Sequence, residues 1–357
     1  MSNNGNEQNI TSKFKKRIFS LPTLVSFGMA IIFLYFLATR FELDWGQMWQ
    51  SIRSMDPWKY LLALALYYTS FIFRGIRWQI LSRNAGLDEA AGAKMPGVTQ
   101  FSQMIIMGWF VNSVAWLRLG DAYRAYALSD KARTRFSWSL GTIFAERIMD
   151  MATVFLLIAV GATVYVVTSE LTSSGELAIA AAFGLAVLLL AALVIMKFYG
   201  TRIARLLPKR FEETYHRFHS GTIGSFRKLP MPFLLSIIGW LLEIARLYFV
   251  VQALGMEISL PLVIIAALGH AILSTVPTPG GVGAVEPGLT GLLVLELTRH
   301  NAATVAIVDR SITYLSVIVF GGIMFFFWQL AGARAGRLAV SGKTAGGAGE
   351  TAAADGS

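Results

Sequence analysis

Thr278-Pro279-Gly280-Gly281-Val282-Gly283-Ala284-Val285-Glu286-Pro287 ends a long apolar stretch, 258–285, that carries no Asp, Glu, Lys or Arg. A helix needs about 20 apolar residues to cross a bilayer, so length alone would make this stretch a span. Pro277, Pro279, Gly280, Gly281 and Gly283 break it. Broken helix at membrane depth is tolerated only where protein or a water-filled cavity covers its backbone. The stretch is therefore expected to be a re-entrant hairpin that enters and leaves on one side. Residues 98–117, which run into Arg118-Leu119-Gly120-Asp121, are expected to form another hairpin, the first in chain order, with Asn112 before its tip.

Around the hairpins lie six segments long enough to span: 21–39, 57–81, 137–168, 176–197, 230–254 and 301–332. The composition agrees with a membrane protein. Of 357 residues 55% are hydrophobic and 15% charged, and the mean hydropathy is +0.57. A soluble domain carries roughly 25% charged residues. The expected fold is all-α and integral to the membrane, with six full transmembrane helices and two re-entrant helical hairpins. The divisions are a cytoplasmic N-terminal tail, 1–20, a first membrane repeat, 21–168, a second repeat, 176–332, and a disordered cytoplasmic tail, 333–357.

Net charge is +10, and the distribution of basic residues orients the chain. Six crossings put both termini on one side. The loops and tails of that side hold 24 of the 31 Lys and Arg residues, the opposite loops four, and the spans three. The expected location is the plasma membrane, multi-pass, with both termini cytoplasmic. On this count the surplus is an orientation signal and a surface for anionic lipid, and no nucleic-acid partner is expected.

Phe73-Arg74-Gly75-Ile76-Arg77 aligns with Leu242-Glu243-Ile244-Ala245-Arg246, and Ala85-Gly86-Leu87 keeps the register against Leu254-Gly255-Met256. After a shift of six residues, Leu119-Gly120 aligns with Val282-Gly283 and Glu146-Arg147 with Asp309-Arg310. Each half then runs span, amphipathic segment, span, hairpin, span. The first amphipathic segment is 42–56, whose Trp45, Met48, Trp49, Ile52 and Met55 share one helical face, as expected for the outer interface. The second is 198–229. Three spans separate the starts of the two halves, so the repeats are inverted, an arrangement common among secondary transporters.

An ionisable side chain at the bilayer centre costs about 2.5–3.5 kcal/mol on insertion scales. Glu146, Arg147, Asp150, Glu243, Arg246, Asp309 and Arg310 fall in spans, and Glu286 in the second hairpin. They must pair, face water or meet a charged ligand. Glu243 and Arg246 suit a local i,i+3 pair. Arg147 and Arg310, at equivalent positions, are expected to line one central cavity from opposite sides. Arg118 and Arg124 flank Asp121 and read either as an interface anchor or as a phosphate clamp at the inner entrance. Arg74, Arg77 and Trp78 are read as snorkelling anchors at the membrane surface. Glu286 could repel an anion at the following helix start, cap that helix, or pair with a cationic headgroup. Pro279, Gly280, Gly281 and Gly283, with Gly120 and Asn112, are the expected gate. Cysteine is absent, and the spacing of His216, His219, His270 and His300 gives no metal site. There is no Gly-x4-Gly-Lys-Ser/Thr loop, and no cofactor is expected.

The Arg77-Trp78 end of the second span, Asn112, Arg118-Leu119-Gly120-Asp121-Ala122-Tyr123-Arg124, Glu146-Arg147 with Asp150, and Pro279-Gly280-Gly281-Val282-Gly283-Ala284-Val285-Glu286 resemble the signatures of the flippase-like family. That family includes the membrane region of lysylphosphatidylglycerol synthases, and the chain is also similar to membrane proteins of polyprenyl-linked glycosylation and hopanoid pathways. The resemblance covers residues 14–332. Ala115-Trp116-Leu117 stand where members often carry a proline. The soluble aminoacyl-transferase domain of the synthases is not expected within these 357 residues, so aminoacyl transfer is not the expected activity. The resemblance implies transport of an anionic, aminoacylated or polyprenyl-linked lipid between leaflets. The alternatives are an accessory protein of a lipid or polyprenyl-glycan pathway without transport of its own, or an integral-membrane lipid transferase. A channel is disfavoured by the scarcity of polar faces on the spans.

Overall fold

A computed structural model describes residues 45–87, 95–115, 118–168 and 209–328. The expected spans 21–39 and 176–197, the tails 1–20 and 333–357, and residues 88–94 of the loop before the first hairpin lie outside the described residues. What is described is all helix, with no strand. The elements are α1 (Trp45–Arg53), α2 (Pro57–Asn84), α3 (Val98–Val114), α4 (Leu119–Ala132), α5 (Phe136–Thr168), α6 (Lys209–Ser225), α7 (Pro230–Ala253), α8 (Leu260–Leu273), α9 (Val285–Leu293) and α10 (Arg299–Arg310). A π-helical segment, Ser311–Leu315, carries α10 onward as one helix to Trp328. By length and composition two described helices can cross a membrane: α7 and the continuous helix Arg299–Trp328.

The helix ends follow from local chemistry. Asp56 accepts hydrogen bonds from the Trp58 and Lys59 amides at 2.9 and 3.4 Å, and Pro57 opens α2 without an N–H to satisfy. At its other end the Gly86 and Leu87 amides donate back to the Arg83 and Ser82 carbonyls, with Gly86 in the left-handed region. The end of α7 repeats the device: the Gly255 and Met256 amides donate to Gln252 and Val251. Ser259 and Thr298 cap α8 and α10.

α2 and α7 form the central pair and run antiparallel. The Asp56 amide donates to the Ala253 carbonyl at 2.8 Å, and at the far end the Asn84 side chain donates to the Lys228 carbonyl at 3.0 Å. α3 packs on α2, α4 on α3 and α5, α8 on α5, α7 and α9, and α9 on α10. An aromatic cluster locks α2 to α3: Tyr67, Phe71 and Trp109 meet edge to face, with Phe71 at 5.1 and 5.5 Å from the other two rings.

Each broken stretch supplies only the first arm of an antiparallel helix pair, α3 or α8; the second arm, α4 or α9, extends beyond the expected bounds 98–117 and 258–285. In the first, Asn112 on α3 accepts from the Gly120 amide on α4 at 2.8 Å, and the Tyr123 hydroxyl reaches the Met107 sulfur at 3.6 Å. Gly120 lies so close to Gly108 that a Cβ there would overlap the Gly108 carbonyl oxygen. In the second, Gly288 lies against Leu273 and Gly269 against Leu292. A short 3-10 turn at Pro279–Gly281 joins the two arms.

The amphipathic segments are helical over Trp45–Arg53 and Lys209–Ser225. On α1, Met48 is buried beside Ile52, Ala303 and Ile307, so that part of its apolar face meets α10 rather than lipid. Trp49 stays exposed under the Arg53 guanidinium. α6 packs on α5 where Gly141 and Gly221 let the backbones approach, and Thr222 donates to the Gly141 carbonyl at 3.1 Å.

Candidate functional site

The two hairpin tips meet. Arg118, between the arms of the first hairpin, has a left-handed backbone (φ 51°) and donates to the Ser274 carbonyl of the second at 2.6 Å. Tyr314, in the π-helical segment, donates to the Ser113 carbonyl at 3.3 Å and lies against Gly280. Beside this junction is a cavity of about 110 Å3. Five arginines line it, Arg74, Arg118, Arg147, Arg246 and Arg310, against two carboxylates, Asp150 and Glu243. Tyr67, Trp109, Trp240, Asn112 and His270 are among the other polar and aromatic residues of the wall.

Behind the wall the charges form two networks. In the first, Arg77 contacts Asp150 at 2.7 Å and Glu146 at 3.7 Å, and donates to the Ser236 hydroxyl of α7 at 2.7 Å. Arg124 takes both oxygens of Glu146, at 3.0 and 2.7 Å, a bidentate geometry that strengthens a charged hydrogen bond. Its guanidinium also lies 4.3 Å from the centre of the Trp78 ring. Arg147 grips Asp121 at 2.7 and 3.2 Å and lies 3.6 Å from Asp150. In the second network Arg74 meets Glu243 at 3.2 Å, Arg246 meets Glu243 at 3.1 Å and also Asp309, and His270 Nδ1 is 2.9 Å from Asp309. Arg310 binds Glu286 at 2.8 Å and donates to the Gly280 carbonyl at 2.9 Å.

Seven arginines and six carboxylates share the two networks and the hairpin junction. Each carboxylate has at least one arginine partner. Arg118 has no carboxylate partner among the described residues; its contact is the neutral Ser274 carbonyl. One positive charge therefore remains over, at the cavity. Arg74 Nε is buried without a hydrogen-bond partner. Its guanidinium sits between two indoles, 4.9 Å from Trp240 and 5.7 Å from Trp109.

The residues singled out in the sequence separate into three groups. Arg118, Arg147, Asp150, Arg246, Arg310, Asn112 and Gly280 line the cavity. Asp121, Glu146, Asp309 and Glu286 stand behind it as partners of the arginines. Arg124 departs from the clamp reading: it is 1% exposed and held by Glu146, so it cannot close on a ligand with Arg118. Glu286 caps its own hairpin, accepting from the Gly283 amide at 2.8 Å while pairing with Arg310. Carboxylate oxygen thus fills the space where an anion would meet the start of α9.

Arg74, Arg77 and Trp78 do not snorkel; they are 5%, 1% and 0% exposed, with partners on α5 and α7. The repeat register carried the signal for them: Arg74 and Arg77 align with Glu243 and Arg246, already assigned to membrane depth, so depth should have transferred with the alignment. His270 had no such signal, because its partner Asp309 lies on another helix. Among the described residues no cluster of three metal-ligating side chains occurs.

Comparison with known proteins identifies the family. The profile described as the lysylphosphatidylglycerol synthase TM region matches residues 23–321. A UPF0104 membrane protein of Methanocaldococcus jannaschii is 29% identical over 222 residues, 61% of this chain and 93% of that protein. One of Pyrococcus horikoshii is 25% identical over 298 residues, 74% of this chain and 85% of that protein. Glycosyltransferase AglD of Haloferax volcanii is 23% identical over 351 residues, and the match spans 87% of this chain and 55% of AglD. With helical hairpins meeting over an arginine-lined cavity, and with that profile spanning most of its length, this chain is a membrane protein of the lysylphosphatidylglycerol synthase TM region family.

Proposed function

We propose that this protein moves the anionic headgroup of a lipid between membrane leaflets by alternating access. The observation that carries this reading is the cavity wall of five arginines and two carboxylates, with Arg118 left without an acidic partner. Burying an uncompensated charge is expensive, so such a site favours a ligand that brings the missing negative charge. Arg118, Arg147 and Arg310 would receive the headgroup while the acyl chains stay in lipid.

The pathway rests on two inverted repeats, 21–168 and 176–332, with six crossings and two re-entrant hairpins entering from opposite sides. Support comes from contacts related by the repeat register. Residues related by a two-fold axis touch each other only at that axis, and Arg74 binds Glu243, 169 positions on. Arg77 binds Ser236, and its counterpart Arg246 lies 5.8 Å from the ring of Tyr67, the counterpart of Ser236. Arg77 also contacts Glu146, as Arg246 contacts Asp309. Arg118 and Gly281, equivalent in the shifted register, are both left-handed. The positive-inside count supports cytoplasmic termini.

The test is reconstitution of the purified protein alone, with leaflet exchange of labelled lipids followed across a panel of anionic, zwitterionic, aminoacylated and polyprenyl phosphate headgroups. Arg147→Ala and Arg310→Ala are expected to slow exchange at least tenfold. Unchanged exchange in both variants sinks the proposal. The match to a glycosyltransferase favours one second reading, a membrane partner of lipid-linked sugar transfer without transport of its own. That reading predicts no exchange by the protein alone.

A further inference from the structure

A second recess lies away from the central cavity, where the end of α2 meets the α6–α7 turn. Its volume is about 580 Å3, within the range of small-ligand sites. Arg83, Arg227 and Lys228 line it with Ile80, Met231 and Pro232, and among the described residues no carboxylate does. The geometry is built rather than accidental. Asn84 donates to the carbonyls of Ser225 and Lys228 at 3.2 and 3.0 Å, which pins the turn over the end of α2 and holds Arg227 and Lys228 beside the recess. Arg227 and Lys228 are exposed and make no ion pair among the described residues. Pro230 and Pro232 remove two amides from the first turn of α7, so anion binding here would fall to side chains.

We propose that this recess is a binding site for the phosphate headgroup of an anionic phospholipid, separate from the transport cavity. Cations alone would fit any phosphate. The neighbouring surface selects the lipid: Leu229, Met231 and Leu234 are exposed large apolar side chains on and just before the first turn of α7. In a membrane protein such a strip faces acyl chains, and basic side chains at its edge meet headgroups. The headgroup would bridge α2 to the α6–α7 turn. It would thereby brace the same α2–α7 pair that carries Arg74, Arg77, Glu243 and Arg246.

The experiment follows thermal unfolding of the purified full-length protein in a neutral detergent while phosphatidylglycerol or phosphatidylcholine is added. Phosphatidylglycerol is expected to raise the midpoint, and phosphatidylcholine and inorganic phosphate to leave it where it is. In the double variant Arg227→Gln/Lys228→Gln the phosphatidylglycerol needed for half the effect should rise about 30-fold. Arg53→Gln, which removes an exposed charge just before the opposite end of α2, should keep the wild-type response. The proposal is overturned by an equal shift with phosphatidylcholine or with phosphate alone, by no shift at all, or by an unchanged titration in the double variant. An equal loss of the response in Arg53→Gln also overturns it, since any surface charge would then suffice.

Discussion

The two hairpins solve one backbone problem with opposite side-chain chemistry. Both reverse direction through a left-handed residue at equivalent positions, Arg118 in the first and Gly281 in the second. A side chain in that conformation costs roughly 1–2 kcal/mol, and glycine avoids the cost. The second hairpin takes the inexpensive solution and spends its carboxylate, Glu286, on its own Gly283 amide and on Arg310. The first accepts the strained solution and places an arginine without an acidic partner at the cavity. A strained residue that also presents an uncompensated charge points to function rather than stability. The first hairpin is the ligand-binding arm on this account, and the second is the structural arm.

Substitutions that exchange these roles sharpen the comparison. The largest effect is expected from Glu286→Ala. It leaves Arg310 buried without a carboxylate and opens the second hairpin, at about 3–5 kcal/mol of stability in denaturant unfolding. A loss near zero would show that Glu286 does not hold the hairpin. Gly281→Ala should follow at roughly 2–3 kcal/mol. It forces a left-handed alanine whose Cβ sits 2.8 Å from the Ser274 Cα, where backbone must move. In the first hairpin Asp121→Asn should cost less, about 1.5 kcal/mol, because Asp121 and Arg147 are each 24% exposed and Arg147 keeps Asp150 nearby. If Asp121→Asn proves as destabilising as Glu286→Ala, the two arms are equally structural and the distinction fails.

The helices and the breaks between them were legible because apolar length, Pro and Gly placement, and capping residues are local signals. Expected spans 57–81, 137–168, 230–254 and 301–332 appear as helices Pro57–Asn84, Phe136–Thr168, Pro230–Ala253 and Arg299–Trp328. The local Glu243–Arg246 pair was legible for the same reason, whereas the convergence of Arg147 and Arg310 on one cavity was legible only through the repeat register. Pairing across helices was not. Whether Arg124 faces a ligand or Glu146 depends on how α4 lies against α5, and nothing within four residues of Arg124 encodes it. Likewise Arg77 looks like a surface anchor until α5 and α7 supply Asp150 and Ser236. The π-helical segment after Arg310 had no signature in composition either. It is now tied down by tyrosine hydroxyls of α2, with Tyr60 at 2.7 Å from the Ser311 hydroxyl and Tyr68 at 2.8 Å from that of Ser316.

The charge count shifts with this correction. Arg74, Arg77, Arg118 and Arg124 had been assigned to the cytoplasmic surface, and Asp121 with them. They belong to the buried networks and the hairpin junction, which changes the interior from an excess of acid to an excess of one arginine. The remaining basic residues of that face still outnumber the acidic ones. On the expected topology those residues still favour cytoplasmic termini, and the interior surplus is the charge that the proposed anionic headgroup would meet.

Arg118→Gly tests that surplus most directly, because it should change stability by less than about 1 kcal/mol: relief of the left-handed strain is offset by the greater unfolded-state freedom of glycine. The measurement is leaflet exchange of a labelled anionic lipid in proteoliposomes, wild type against Arg118→Gly, with unfolding midpoints taken on the same preparations. The account predicts equal midpoints and at least a tenfold slower exchange in the variant. Equal midpoints with equal exchange rates would contradict it.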